Sequence, residues 1–501
     1  MAATDLAAQK IDSALNVLAT KFPEEKIYIH YDKEYYVVGE TIWFKAYLYS
    51  NGLPSSLSNN FYLQLIDIKG NVISSKQYPV NSATVKGNID LPDSLKQGYY
   101  YIKALTPAML NSYENIIYSK SIFIFNPLSK QLSKSTAVSK NFPIAVQFFP
   151  ESGNLVAGIL TTIAFKAIDS LGRPVNISGV IKMEDGTNIT SFRSFHDGIG
   201  RTQFRPKEGK KYIAIVDGDT RPNIYPLPVV QSSGINLKVE EEKGGKEFSL
   251  TRGENEKNNF NELLLVAQIN NSIVYEKTIS FEQFLSVKGH LLTDSLPAGI
   301  LHFTVFNSDG IPLAERLTFV NNDETKNNES IVVIKKGTGA REENIFEINF
   351  SDSLQRSCSV AITDFMPAPF TEKENIMSKL LLTDNLKGYI FNPGYYFEKQ
   401  NDSVLIALDN VMLTHGWSRF NWSKILSDQF PEKKYTDAYL INISGMVNTP
   451  KDNRPVEGGI LNILLSTEDS ALYTYDIVVN ESGFFLIDSL IIVGKTKIYY
   501  T

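Results

Sequence analysis

Five histidines stand in the chain, at His30, His196, His290, His302 and His415. No two are four residues apart and none lies in a His-Glu-x-x-His run, so the helical zinc-hydrolase pattern is missing. His30 and Asp32, in "IYIHYDKE", are two apart, which puts both side chains on one side of a strand. Such a pair invites a metal ion, but a catalytic zinc needs further protein ligands around an open position. Asp217 and Asp219, in "VDGDTRPN", carry oxygens near a turn. A calcium loop needs more oxygens at defined positions, and Asp-Gly is itself a common hairpin turn. The single cysteine, Cys358, permits neither an intramolecular disulfide nor a thiolate zinc cluster. Its place in the alternating "RSCSVAI" predicts a buried structural thiol. There is no Gly-x-Ser-x-Gly elbow and no phosphate-binding Walker loop. The sequence therefore offers no catalytic residue, no metal ligand and no cofactor.

What remains is the chemistry of large side chains, which concentrates interface energy in a few aromatic or arginine anchors. Trp43 lies in a hairpin crowded with Tyr28, Tyr35, Tyr36, Phe44, Tyr47 and Tyr49. A second aromatic knot joins "GYIFNPGYYFEKQ" to "THGWSRFNW". Core packing is the plainer reading of both. The sharper one makes Trp43, Tyr395, Tyr396, Trp417, Arg419 and Trp422 a partner-binding set, because irregular insertions on a rigid scaffold often carry function.

The elements that must position these residues are mostly strands. Short runs rich in Val, Ile, Tyr and Phe alternate with polar residues, and Gly, Pro, Asn or Asp turns part them at the spacing of β-sandwiches. Helix is scarce. Ile11, Leu15, Leu18 and Phe22 define one face of an opening helix; "EKENIMSKLLLTDNL", Ser403 to Thr414 and "NWSKILS" supply the others. Hydrophobic residues at 43% and charged residues at 21% describe ordinary globular domains, and 501 residues call for roughly three to five of them. The net charge of −6, with no basic block, argues against a nucleic-acid partner. No apolar run reaches the roughly 18 residues of a membrane span.

One phrase recurs: "LPDSLKQGYYYIKALT" from Leu91, "LLTDSLPAGILHFTVF" from Leu291 and, more faintly, "IDSLIIVGKTKIYY" from Ile487. Asp-Ser-Leu-x-x-Gly suits a polar turn that feeds the closing strand of a sandwich, so the recurrence predicts sandwiches in series. The expected architecture is all-β. An N-terminal helix (1–24) precedes sandwiches at 25–127, 141–230 and 233–322. A fourth, at 328–433, contains a small helical insertion, and an incomplete fifth spans 439–501. The opening "MAATDLAAQK" has neither the basic nor the apolar region of a signal peptide, and the last residues look like an unfinished strand. The chain therefore reads as a piece of a longer exported protein whose leader has been removed.

"EKIYIHYDKEYYVVGETIWFKAYL" (Glu25 to Leu48) resembles the opening of a macroglobulin MG2 domain, through Tyr28, Asp32, Tyr36, Gly39, Glu40, Thr41, Trp43 and Phe44. "FFPESGNLVAG" resembles the start of the next macroglobulin-type domain. "PLAERLTFVN" and "LDNVMLTHGWSRFNW" resemble phrases of large Gram-negative envelope proteins. In those, macroglobulin-like domains precede a carboxypeptidase-regulatory-like sandwich and a TonB-receptor-type plug. "ISGMVNTPKDNRPVEGGILNILL" with "NESGFFLIDSL" resembles that regulatory-like module through Gly445, Pro455, Val456, Gly458, Gly483 and Phe484. The resemblance implies tandem immunoglobulin- or macroglobulin-like sandwiches in the periplasm or at the outer membrane. It implies a non-enzymatic scaffold making protein contacts, with a TonB-dependent outer-membrane component as partner. The alternative is a surface-exposed binder of glycan or host protein. A macroglobulin-like protease inhibitor is more distant and would lack the thioester, whose Gly-Cys-Gly-Glu-Gln sequence is absent.

Overall fold

A computed structural model describes residues 3–112, 117–128, 144–218, 223–254, 260–282, 284–322, 330–350, 357–363, 373–399, 401–416, 420–437, 441–467, 471–488, 490, 492 and 496–501. The chain divides into two compact units. One comprises Met1–Lys21, Ser135–Ser359 and Pro367–Phe430; the other comprises Phe22–Lys134, Val360–Met366 and Pro431–Thr501.

The first sandwich belongs to the second of these units. Its strands are β1 (Glu25–Tyr31), β2 (Tyr35–Val37), β3 (Thr41–Ser50), β4 (Leu53–Pro54), β5 (Asn60–Asp67), β6 (Val72–Pro79), β7 (Thr84–Asp90), β8 (Gly98–Leu105) and β9 (Tyr118–Phe125). β3 is flanked by β1 and β7 in one sheet, and the facing sheet runs β6-β5-β8-β9 with β2 added at its edge. Strict alternation in β1 buries Ile27, Ile29 and Tyr31 against Phe61, Leu63, Leu65 and Ile102 of the facing sheet. Glu25 opens β1 and is buried. Its carboxylate accepts hydrogen bonds from Ser58 Oγ at 2.8 Å, Thr106 Oγ1 at 2.5 Å and Ser55 Oγ, so three hydroxyls solvate the charge.

The other unit holds two sandwiches. The first of them has β10 (Ala145–Pro150), β11 (Leu155–Val156), β12 (Thr161–Ile168), β13 (Ser178–Met183), β14 (Asn188–Arg193), β15 (Ile199–Phe204), β16 (Tyr212–Val216), β17 (Asn223–Pro226) and β18 (Val230–Gln231). The next has β19 (Ile235–Glu242), β20 (Gly245–Arg252), β21 (Glu262–Ile269), β22 (Ser272–Ser280), β23 (Ser286–Leu292), β24 (Gly299–Phe306) and β25 (Pro312–Val320). The sheets pair as β10-β12-β15 against β14-β13-β16-β17, and as β19-β20-β23 against β22-β21-β24-β25. With the short strands set aside, all three sandwiches follow one scheme. The first, second and fifth strands make one sheet; the fourth, third, sixth and seventh make the other.

That scheme explains the recurring phrase. Its first two copies lie at the corner between fifth and sixth strands and feed the penultimate strand rather than the closing one; the third, from Ile487, lies partly outside the described residues. Leu95 N donates to Pro92 O at 3.1 Å, and Leu296 N to Thr293 O at 3.0 Å. Gly98 and Gly299 then take φ of 154° and 144°, outside the range comfortable for other residues. An asparagine beyond each seventh strand closes the corner from the other side. Asn126 Nδ2 donates to Leu95 O at 2.7 Å, and Asn322 Nδ2 donates to the carbonyls of Thr293 (2.9 Å) and Leu296. The second sandwich uses a tyrosine instead: Lys207 N donates to Tyr212 Oη at 2.9 Å.

α1 (Ala3–Lys21) forms where the spacing predicts it. Asp5 sits in its first turn and Lys21 in its last, as the helix dipole favours, and Ile11, Leu15 and Leu18 are buried toward β21 and β22. Between 330 and 430 the expected fourth sandwich does not appear among the described residues. β26 (Ser330–Lys335) and β27 (Ile345–Asn349) make an isolated two-stranded ribbon, exposed along its whole length. The helices α2 (Ile376–Leu381), α3 (Tyr395–Glu398), α4 (Asp402–Thr414) and α5 (Trp422–Ile425) follow. The helical layer packs elsewhere: Leu382, Leu386, Ile390, Leu408, Val411 and Met412 cluster with Ile199, Leu317 and Phe319 of the two sandwiches.

The last module, in the same unit as the first sandwich, has β28 (Ile443–Met446), β29 (Gly459–Thr467), β30 (Leu472–Val479), β31 (Phe484–Ile487) and β32 (Thr496–Tyr500), paired β28-β31 and β30-β29-β32. A strap leads into it. Asn111 Oδ1 accepts from the backbone N–H groups of Lys434 and Tyr435 at 3.0 Å, and Asn111 Nδ2 donates to Tyr435 O at 2.7 Å. Asp437 accepts from Asn60 Nδ2 at 2.5 Å and from Asn59 N.

Candidate functional site

α4 carries the densest polar chemistry. Asn401 caps it, accepting from Val404 N at 2.9 Å, with Asp402 in the first turn. Val404, Ala407, Leu408, Val411 and Met412 bury one face. Asp409 reaches Arg201 of β15 at 2.5 Å and Arg316 of β25 at 2.7 Å. Arg316, whose side chain is 2% exposed, also binds Glu151 through Nε at 3.0 Å and donates to Leu317 O. Burial pushes the Asp409 carboxyl up, but Arg316 and Arg201 outweigh it and hold it below its usual range. Burial likewise disfavours the Arg316 guanidinium, which Asp409 and Glu151 more than restore. Asn236 Nδ2 donates to Glu151 O at 3.2 Å and Ser152 Oγ at 3.1 Å. A buried ion network adds little net stability over an apolar replacement, but breaking one side of it is costly, so it ties together the parts it joins. Here those parts are two sandwiches and α4.

Two clefts share Glu151 in their linings. One, of about 630 Å³, is lined by Glu151, Arg201, Gln203, Lys246, Asp402 and Asp409. The other, of about 510 Å³, is lined by Phe149, Pro228, His302, Pro312, Glu315 and Met412. Both fall within the size range of small-ligand sites. Several of their ionisable groups are engaged inside the protein. Lys246 Nζ donates to Phe319 O at 2.8 Å and to Glu241. His302 Nε2 stands 3.4 Å from Glu315, whose carboxyl burial pushes up and His302 with Trp422 hold down. On the outer face of β12, Lys166 Nζ lies 2.7 Å from His415 Nε2 and 2.8 Å from Tyr389 O.

The predicted partner-binding residues separate. Tyr396 and Trp422 are 2% and 3% exposed, because their rings fill the helical layer, so neither offers a face to a partner. Trp422 packs edge-on against Phe306 at 4.8 Å. Tyr395 is half-buried and stacks on His196 at 4.0 Å. Trp417 and Arg419 lie outside the described residues. Trp43 stands 57% exposed on β3, its backbone N–H donating to Asp32 Oδ1 at 3.0 Å. Asp32 also accepts from Tyr36 Oη at 2.7 Å, so it braces the hairpin rather than pairing with His30. Asp217 accepts from Ser178 Oγ at 2.6 Å; Asp219 lies outside the described residues. Cys358 is exposed, because its segment joins none of the described sheets, and the buried thiol is corrected accordingly. Among the described residues no cluster of three His, Cys, Asp or Glu is disposed to hold a metal, and no helix is long and apolar enough to cross a membrane.

Sequence reasoning missed an aromatic stripe on the solvent face of the first sandwich. Tyr35 meets Phe125 (6.0 Å), Phe125 meets Phe123 (4.7 Å) and Phe123 meets Tyr99 (5.1 Å), each edge to face. Tyr99 is 58% exposed and Tyr101, two residues on, is 40% exposed. The alternation in "GYYYIKAL" carried the signal, since only one of its neighbouring tyrosines, Tyr100, turns inward.

No model of a known protein family matches the chain, and no curated protein does. Solved structures give faint likenesses. An alpha-2-macroglobulin of Salmonella aligns at 10% identity over 62% of this chain and 24% of its own, with a TM-score of 0.19. Trypsin-activated alpha-2-macroglobulin of Escherichia coli aligns at 12% identity over 58% and 23%, TM-score 0.18. The tetra-tandem repeat of a large adhesion protein aligns at 9% identity over 95% and 94%, TM-score 0.17. The chain thus spans about a quarter of the length of the bacterial alpha-2-macroglobulins it is similar to. At these scores the likenesses add nothing to the β-sandwich character described above.

Proposed function

We propose that this chain is a non-enzymatic scaffold of the Gram-negative envelope, exported to the periplasm or outer membrane, where its sandwiches make protein contacts within a TonB-plug-associated transport or export assembly. The observation that supports this reading is the disposition of the ionisable groups. Arg316, Glu151, Asp409, Lys166 and His415 are all spent on joining sandwiches to one another or to α4, and Lys246 ties together the two sheets of its own sandwich. Large apolar side chains are what the first sandwich turns outward. The sequence resemblance supplies the envelope setting. A second reading, a surface binder of glycan or host protein, is favoured by the stripe from Tyr35 to Tyr101, since aromatic faces are common anchors for both.

Crosslinking of the purified chain to solubilised outer membranes, read by mass spectrometry, separates the two. The scaffold reading expects one dominant envelope protein. Capture of glycan or host protein in its place transfers the assignment to the second reading. Sustained turnover of a peptide, ester or glycosidic bond by the pure chain overturns both.

A further inference from the structure

His415 closes α4 and is buried. Its Nδ1 lies 3.2 Å from Val411 O and 3.0 Å from Thr414 Oγ1, and its Nε2 faces Lys166 Nζ at 2.7 Å. A neutral ring protonated on Nδ1 satisfies every partner: Nδ1–H donates to Val411 O, and the Nε2 lone pair accepts from the Lys166 ammonium, which also donates to Tyr389 O at 2.8 Å. A second proton finds only Tyr389 O, which already accepts from Lys166, and burial and Lys166 outweigh that help. It sets an imidazolium N–H against an ammonium, beside a cavity of about 20 Å³ lined by Ile168, Pro174, Ile199 and Phe391, with room for about one water.

The surrounding charges do not offset this. From the turn before β15, Asp197 lines the same cavity, 3.1 Å from His196 Nε2 but without a hydrogen bond to it. From the 388–397 loop come Tyr389 O and the Tyr396 hydroxyl, whose proton burial holds in place. On α4 itself, Asp409 is taken by Arg201 and Arg316.

We propose that the Lys166–His415 contact is an acid-sensitive clasp. One proton on His415 repels Lys166 and releases the end of α4, with the 388–397 loop, from the second sandwich. Burial first, then Lys166, brings the His415 pKa down to about 4, which places the opening on the acid side of neutrality.

Hydrogen exchange of the whole chain tests the clasp. Amides of 405–415, corrected for intrinsic exchange, should lose protection about tenfold or more between about pH 7 and about pH 4.5. His415→Gln keeps an acceptor for Lys166 without a titrating ring and should stay protected at both. Equal loss in the two proteins, or no loss in the parent, overturns the clasp. Should the variant fail to fold, imidazole NMR of the parent decides. A His415 midpoint near 4, shared by the loop amides, supports the proposal. A midpoint near the ordinary 6.5, or a titration the loop ignores, sinks it.

Discussion

At the scale of single residues, Arg316 is where most is at stake. Replacing it by alanine leaves the largely buried Glu151 carboxylate without its cation and releases Asp409 from one of its two cations. Arg316→Ala should cost about 3–5 kcal/mol by chemical denaturation, the range for breaking one side of a buried ion pair. Adding Glu151→Gln should recover part of that; a second substitution that costs as much again means the network is not coupled. Acid acts on the two polar sites in separate windows. His415 has a folded pKa below its unfolded value, so its stability is complete above about pH 6.5 and drains as pH falls toward 4. Asp409, also depressed, contributes above its unfolded value and loses that contribution below about pH 4. Neither site was legible beforehand. Lys166 and His415 are 249 residues apart, and nothing in a lone histidine after an apolar helix names its partner. Arg316 left a trace, since the alternation in "PLAERLTFV" puts it inward with Ala314. Tyr396 and Trp422 misled because an aromatic in an irregular segment looks the same whether it fills a core or waits for a partner.

At the scale of elements, the corner between fifth and sixth strands was legible as a phrase and misplaced by one strand, because turn chemistry announces a corner without saying how many strands follow. The asparagines that close it, Asn126 and Asn322, sit about thirty residues downstream of the turns, beyond any local pattern. Gly98 is required by its backbone alone, since an added Cβ would meet nothing within 4 Å. Gly98→Ala and Gly299→Ala should therefore each destabilise by about 1–3 kcal/mol through strain without a clash. Thermal melts of the two variants check this; an unchanged midpoint in either means the corner relaxes freely. The ribbon β26–β27 shows the opposite limit. It falls where a fourth sandwich was expected, but Ile331, Val333, Phe346 and Ile348 gave no hint that no further described strand would join them. The opening helix was the easiest element to read, because Ile11, Leu15 and Leu18 recur at the helical period without interruption.

At the scale of the whole molecule, serial β-sandwiches were readable from turn spacing and the later helices from their apolar period, while which two sandwiches those helices knit together was not. The last module stands on its own core of Leu461, Ile463, Leu465, Val479, Ile487 and Leu490. Removing residues 439–501 leaves the strap at Asn111 and Asp437 untouched. The shortened chain should keep its main calorimetric transition; aggregation or wholesale unfolding would show that the module is not independent. The network around Arg316 has a further consequence, for the order of events on the ribosome. The strands of each sandwich are contiguous, so each can close soon after it emerges. Arg201, however, meets Asp409 only 208 residues later, a delay on the order of 10–40 s at ordinary elongation rates. Through that interval the nascent chain shows the face around Ile199, and then Leu317 and Phe319, with nothing yet made to cover them. The helical layer is in effect a lid synthesised well after the sandwiches it covers, and whatever escorts the unfinished polypeptide must shield that face until it arrives.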